Sequence, residues 1–165
     1  RPSTPAQTLK AVKIGVRHGL RPFVYFIHGL PGQTAGSARQ TVDMMKEMFK
    51  EGAEKLTIYR FKPLPLSAVA KFPPARPAIR DRNSREIEDV ARKLNFEAKV
   101  RLVGKTLDVI AFRSVKQGER EGMITYPLSD GPVVLLKSKS ARAGDRLKIR
   151  ITEVLSDRLV KGEMF

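Results

Sequence analysis

Gly144-Asp145-Arg146-Leu147-Lys148-Ile149-Arg150-Ile151-Thr152 alternates charged and aliphatic residues with period two. In an extended chain successive side chains point to opposite faces. Leu147, Ile149 and Ile151 therefore fall on one side and Arg146, Lys148 and Arg150 on the other. Outward from this run, the stretch from Lys99 to Phe165 carries short apolar-alternating segments broken by Gly. The pattern predicts strands at roughly Lys99–Val103, Thr106–Arg113, Gly122–Pro127, Val133–Lys137 and Arg146–Glu153. A last run, Arg158–Glu163, is expected to pair with its predecessor. Short strands with Gly turns and no helix imply a small closed barrel of the OB type with a cationic outer face.

The half before this barrel reads differently. Leu9, Val12 and Val16 recur at helical spacing over residues 6–18, and Gly19 stops that helix. Phe23-Val24-Tyr25-Phe26-Ile27 is a continuous apolar run, the signature of a buried strand. The tight loop Gly29-Leu30-Pro31-Gly32-Gln33-Thr34 follows, then a helix over about Ser37–Lys50 with Val42, Met45 and Phe49 inward. Leu56–Phe61 is a second strand. Helix, strand, helix and strand with short connections mean βα units on a parallel sheet. Pro63, Pro65, Pro73, Pro74 and Pro77 exclude regular structure over residues 62–77, because proline lacks the backbone donor and restricts its predecessor. Asn83-Ser84 are cap candidates for a helix over 83–94 with an Ile87, Val90, Ala91 and Leu94 stripe. The expected fold class is α+β: a partial βα (TIM-barrel-like) unit followed by a small OB-like antiparallel β-barrel. The expected domains are residues 1–80, a linking helix over 81–95, and the barrel over 96–165.

The 165 residues include 32 Lys and Arg against 17 Asp and Glu, a net charge of +15. Residues 1–95 hold 18 basic and 8 acidic side chains and residues 96–165 hold 14 and 9, so the excess is no terminal tail. Such an excess attracts phosphate backbones and gains free energy from counterion release. A heat-adapted surface would add both signs, whereas this chain adds mainly one. RNA is the expected partner. The chain has no Cys, which excludes disulfides, Cys-ligated zinc, thiol nucleophiles and any iron–sulfur cluster held by this chain alone. The longest apolar stretch, around Phe23–Ile27, is far too short to span a membrane. No signal peptide is visible, so a cytoplasmic location is expected, and a start at Arg rather than Met reads as part of something longer.

No self-contained active site emerges. His18 and His28 lack an acidic cluster in sequence and read as structural. Glu86, Glu88 and Asp89 are flanked by Arg85 and Arg92, as on a solvated helix face. Ser84, Ser114 and Ser138 show no nucleophile elbow. The candidate RNA-binding residues are Arg113, Lys116 and Arg120 around one turn, Lys137, Lys139 and Arg142 in a loop, and Arg146, Lys148 and Arg150 on the last long strand. Phe112 and Tyr126 are candidate stacking surfaces.

Phe26-Ile27-His28-Gly29-Leu30-Pro31-Gly32-Gln33-Thr34 resembles the fifth-strand motif of radical S-adenosylmethionine enzymes, an apolar strand running into Gly-Leu-Pro-Gly-Glu/Gln-Thr. Tyr59-Arg60-Phe61-Lys62-Pro63-Leu64-Pro65 resembles the sixth strand and its Pro-rich exit. Gly104-Lys105-Thr106-Leu107-Asp108-Val109, with Gly144-Asp145 and Gly162-Glu163, is similar to the TRAM domain. Methylthiotransferases that modify transfer RNA join these parts in the same order. The resemblance implies S-adenosylmethionine at Ile27, Gly29, Phe61 and Pro63, and a 4Fe–4S cluster in the intact protein. Neither is expected on this stretch alone, which would need the missing N-terminal part of the same protein. The superfamily's CxxxCxxC motif is absent, Tyr25 stands where Gly is usual, Gly32 occupies the place of a Glu, and Pro65-Leu66-Ser67 replaces Pro-Gly-Thr. Two other readings remain open: a non-enzymatic RNA-binding module, and a ribosome-associated interaction protein.

Overall fold

Thr4 opens the first helix with a reciprocal cap, its hydroxyl accepting from the Gln7 N–H while the Gln7 side chain accepts from the Thr4 N–H. The structure, a computed structural model, describes residues 3–117, 120–138 and 140–164. The chain divides into two units, Arg1–Asn95 and Phe96–Phe165.

In the first unit, helix α1 (Pro5–Arg17) leads to strand β1 (Phe23–His28). Helix α2 (Ala35–Lys50) is capped by Thr34 and Ser37 in the same reciprocal way, and strand β2 (Lys55–Arg60) follows. β1 and β2 pair in parallel, in register from Phe23 with Lys55 to His28 with Arg60. Period-two alternation then sorts the strand residues. Val24 and Leu56 enter a core with Val12, Val42, Met45, Met48, Ile87 and Ala91. The opposite face stays open, with Phe23, Tyr25, Ile27 and Tyr59 about half exposed. There the Tyr25 and Tyr59 rings stack with centroids 5.8 Å apart.

Helix α3 (Arg82–Val100) contains the boundary between the units. Asp81 accepts from the Ser84 N–H at its start. Asn95, buried on α3, closes the backbone of β2 by a two-point bond: its Oδ1 accepts from the Leu56 N–H at 2.9 Å and its Nδ2 donates to the Leu56 carbonyl at 2.8 Å. A side-chain amide thus stands in for a neighbouring strand.

The second unit is a closed barrel of β3 (Thr106–Gln117), β4 (Arg120–Pro127), β5 (Val133–Leu136), β6 (Arg146–Val154) and β7 (Leu159–Met164). Its order is β3-β4-β5-β7-β6, with β6 pairing back to β3. The expected small barrel is present, and β7 pairs antiparallel with β6 as anticipated. One contact differs from an all-antiparallel reading: β5 and β7 run parallel. Val109, Ala111, Met123, Val134, Leu136, Ile149, Ile151 and Val160 fill the interior.

The strand expected at Lys99–Val103 is absent. The last turns of α3 and a turn reaching Gly104 take its place. Lys99, Val100, Arg101 and Leu102 mimic strand alternation, but Ile87, Ala91, Asn95 and Lys99 are buried at helical spacing, and that longer period prevails.

Replacing Asn95 by Leu removes both bonds to Leu56 while keeping similar volume. It should destabilise the first unit by about 2–4 kcal/mol, the cost of two unsatisfied buried backbone groups. Urea unfolding checks this, and an unchanged midpoint would contradict the role given to Asn95.

Candidate functional site

β6 separates charge from core as its alternation requires. Ile149 and Ile151 are fully buried, and Arg146, Lys148 and Arg150 are exposed. The register decides what stands beside each cation. Lys148 faces Asp108, with Nζ 4.0 Å from its Oδ1. Arg150 lies opposite Glu163 on β7. Arg146 lies opposite Ile110 and has no carboxylate partner among the described residues. Of the three, Arg146 alone has no carboxylate directly opposite it in the register.

The Arg146 end of the stripe is also where β3 bulges. The β3–β4 register shifts between Ala111 and Arg113, so Phe112 is the extra residue and its ring is 54% exposed. A bulge re-aims side chains and sharpens local twist. The turn Arg142–Asp145 is fixed against it: the Ala111 N–H donates to the Asp145 carbonyl at 2.9 Å and the Gly144 N–H to the Ala111 carbonyl at 2.8 Å. Within the turn, the Asp145 carboxylate accepts from the Arg142 backbone N–H. Tyr126, opposite Ile110 on β4, meets Phe112 edge-on with centroids 5.6 Å apart and planes at 71°. The Arg113 guanidinium lies 5.9 Å from the Phe112 centroid.

The structure thus gathers Arg113, Arg142 and Arg146 about an apolar patch of Ile110, Phe112 and Tyr126. The remaining candidates lie elsewhere. Lys116 stands across from Glu121 near the β3–β4 hairpin end. Lys137 is exposed just after β5, whose Leu136 pairs with Met123. Arg120 is described only as a backbone position of β4, and Lys139 lies outside the described residues.

In the first unit, Ile27, Gly29, Phe61 and Pro63 collect at the carboxyl ends of β1 and β2. Ile27 is half exposed on the open sheet face and Pro63 is partly buried. Phe61 is buried, its N–H donating to the His28 carbonyl and its carbonyl accepting from the Ala75 N–H. The Pro-rich segment therefore folds back over the strand ends. Gly29 has φ +73°, and a Cβ there would lie 2.3 Å from the Ala75 Cβ, so only glycine fits. Its N–H donates to Gln33 Oε1 at 2.7 Å, and Gln33 Nε2 reaches Ser84 Oγ at 3.5 Å. Sequence reading missed this closure, because Ala75 and Ser84 lie far along the chain.

His28 is 1% exposed, with Nε2 3.6 Å from Glu88 Oε1 and Nδ1 unpartnered among the described residues. Burial lowers its pKa below the ordinary 6.5, against the opposing pull of Glu88 and then Asp81. Asp81 is itself held below its usual 3.8 by the Ser84 backbone bond. No cluster of three metal-ligating side chains occurs among the described residues, and no helix among them is long and apolar enough to cross a membrane.

A His with a depressed folded pKa is protonated first in the unfolded chain, so its contribution to stability is present above 6.5 and is lost as pH falls below that value. Unfolding midpoints should decline from neutral pH into the acid range, before carboxylates titrate. His28→Leu should flatten that decline. An unaltered pH profile in the variant would contradict the assignment.

No family model matches the chain. It is 42% identical over 164 residues to an uncharacterized protein of Methanopyrus kandleri, covering 99% of this chain and 31% of that protein. It is 37% identical over 151 residues to an uncharacterized protein of Methanocaldococcus jannaschii, covering 92% of this chain and 29% of the relative. A more distant similarity, 25% over 130 residues, links it to the ribosomal protein uS12 methylthiotransferase of Thermus thermophilus, with 76% of this chain and 29% of that enzyme aligned. The chain spans less than a third of the length of each of these relatives.

Proposed function

We propose that this chain is the C-terminal part of a radical S-adenosylmethionine enzyme of the methylthiotransferase type, and that its barrel unit holds an RNA substrate, transfer RNA in particular. The observation that carries the RNA reading is the placement of Arg113, Arg142 and Arg146 around the β3 bulge, where no ion pair to their guanidinium groups occurs among the described residues and the Asp145 carboxylate is bonded to the Arg142 backbone N–H. Clustered guanidinium groups release condensed counterions when they meet phosphates. The distant similarity to a methylthiotransferase supports the enzyme class.

The rest of the enzyme has a place to attach. Parallel sheets are ordinarily covered on both faces, yet the outer face of β1 and β2 exposes Phe23, Tyr25, Ile27 and Tyr59. Beside β1, an open depression of about 800 Å3 is lined by Thr8, Val24, Tyr25, Phe26, Gln40 and Met44. A preceding strand of the same polypeptide would cover that edge and bury the open face inside a larger barrel. Relatives more than three times as long supply the chain length.

The fit to cofactors is partial. The chain has no cysteine, so the cluster finds no thiolate here and its ligands belong to the remainder of the protein. For S-adenosylmethionine, Ile27 and Pro63 offer apolar surface at the strand ends, the face on which α/β barrels build their sites. Gly29 and Phe61 are committed to Ala75 and His28, and serve to shape the loop. In the intact protein such a cluster would supply the electron for reductive cleavage of S-adenosylmethionine. This chain's part is to present Ile27 and to hold substrate.

A second reading has one observation in its favour: the Thermus relative is named for a ribosomal protein. The barrel would then dock a ribosomal component. Titration of transfer RNA at several salt concentrations separates the two. For the wild type, log affinity should fall linearly with log salt. The triple variant Arg113→Ala, Arg142→Ala, Arg146→Ala should flatten that slope by about 2–3, near 0.7–0.9 per phosphate contact. A wild type that ignores salt, or a variant with an unchanged slope, would remove the RNA reading.

A further inference from the structure

We infer that the bulge end of the barrel is a platform on which one unpaired nucleobase of a single-stranded RNA segment stacks, against Phe112 and Tyr126. The inference rests on the RNA reading above and adds what kind of RNA the barrel takes. The open sheet face of the first unit is the larger apolar surface, but its occupant is already assigned to the rest of the polypeptide.

Three features at the bulge converge on a base. The first is apolar surface held in the open. Ile110, Phe112 and Tyr126 are 37%, 54% and 43% exposed on adjoining strands, while the barrel interior has its own complete set of aliphatic residues. The second is ring geometry. An edge-on pair at 71° uses the edge of one ring against the face of the other, and so leaves ring surface available for a flat partner. Alternation places Phe112 outward, with Val109 and Ala111 buried and Ile110 and Phe112 exposed, and the register shift after Ala111 leaves it unpaired in the ladder, with Tyr126 in edge contact and Arg113 exposed next to it.

The third feature is charge. Arg113 lies over the Phe112 ring with its guanidinium carbon 5.9 Å from the centroid, Arg146 is the cross-strand partner of Ile110, and the Arg142 turn is bonded to Ala111. A π surface ringed by guanidinium groups complements a base flanked by its own phosphates. A base inside an A-form duplex has both faces stacked and cannot lie on such a platform, so the occupant is unpaired. A single nucleotide carries a flat base and its phosphates together, whereas a protein partner would need an apolar side chain for the rings and separate carboxylates for the arginines.

The test uses the 165-residue chain and three probes: a short single-stranded RNA carrying 2-aminopurine at one position, the same strand made abasic there, and a duplex of equal length. Wild-type protein should quench the 2-aminopurine and bind the single strand more tightly than the abasic strand or the duplex. Phe112→Leu with Tyr126→Leu keeps apolar volume and removes the rings. It should weaken single-strand binding roughly five- to hundredfold, the range for loss of one stacked base, and leave duplex binding unchanged. The abasic strand should bind the wild type and the double variant alike, so the two losses do not add. Equal wild-type affinity for all three probes would overturn the platform and leave phosphate binding intact, as would a double variant that retains its single-strand preference. Failure of the wild type to bind any of the three would overturn the RNA reading with it.

Discussion

Five short strands closed into a barrel leave an interior only wide enough for one layer of aliphatic side chains, and the rest of the second unit follows from that constraint. Val109, Ile149, Ile151, Val134 and Val160 take up the space. A lysine or arginine turned inward would lose its hydration without a partner, at a cost the fold could not absorb. The basic residues interleaved with these aliphatics are consequently held outward. Closure says nothing about where along the outside the charge is left uncompensated. Register does that, by placing Asp108 beside Lys148 and Glu163 across from Arg150 while Arg146 meets Ile110.

The first unit obeys the opposite logic. Two parallel strands cannot close on themselves, and helices cover only one of their faces. One flank of β2 is finished by Asn95, whose amide reproduces the bonding of a strand. Among the described residues, no side chain plays that part at the aromatic outer face or the depression at β1. A structure that stops one strand edge with a dedicated side chain and leaves the other bare is suited to continuing the sheet on the bare side.

Much of this was legible in the sequence where one periodicity ran undisturbed. The alternation of residues 146–151 gave the orientation of β6 residue by residue, and the helix expected from about Ser37 begins two positions earlier, at Ala35. Legibility failed where two periods overlap. Residues 99–102 satisfy strand alternation and helical spacing together, and only the buried set Ile87, Ala91, Asn95 and Lys99 shows which governs. It also failed for contacts between distant residues. Nothing local to Gly29 reveals Ala75 against its α-carbon, and nothing local to Phe112 reveals the register shift after Ala111 or the edge contact with Tyr126. Nor does the sequence show which cations stand beside a carboxylate, because cross-strand partners such as Asp108 and Glu163 are invisible until the register is known.

Contact between RNA and the Arg146 end of the barrel, as proposed, is open to direct measurement. Nuclear magnetic resonance of the arginine Nε–Hε groups during addition of transfer RNA reports on this directly. The largest shifts are expected at Arg113, Arg142 and Arg146, with smaller ones at Arg150, which lies across from Glu163. Shifts spread evenly over all arginines, or greatest on the first unit, would contradict it.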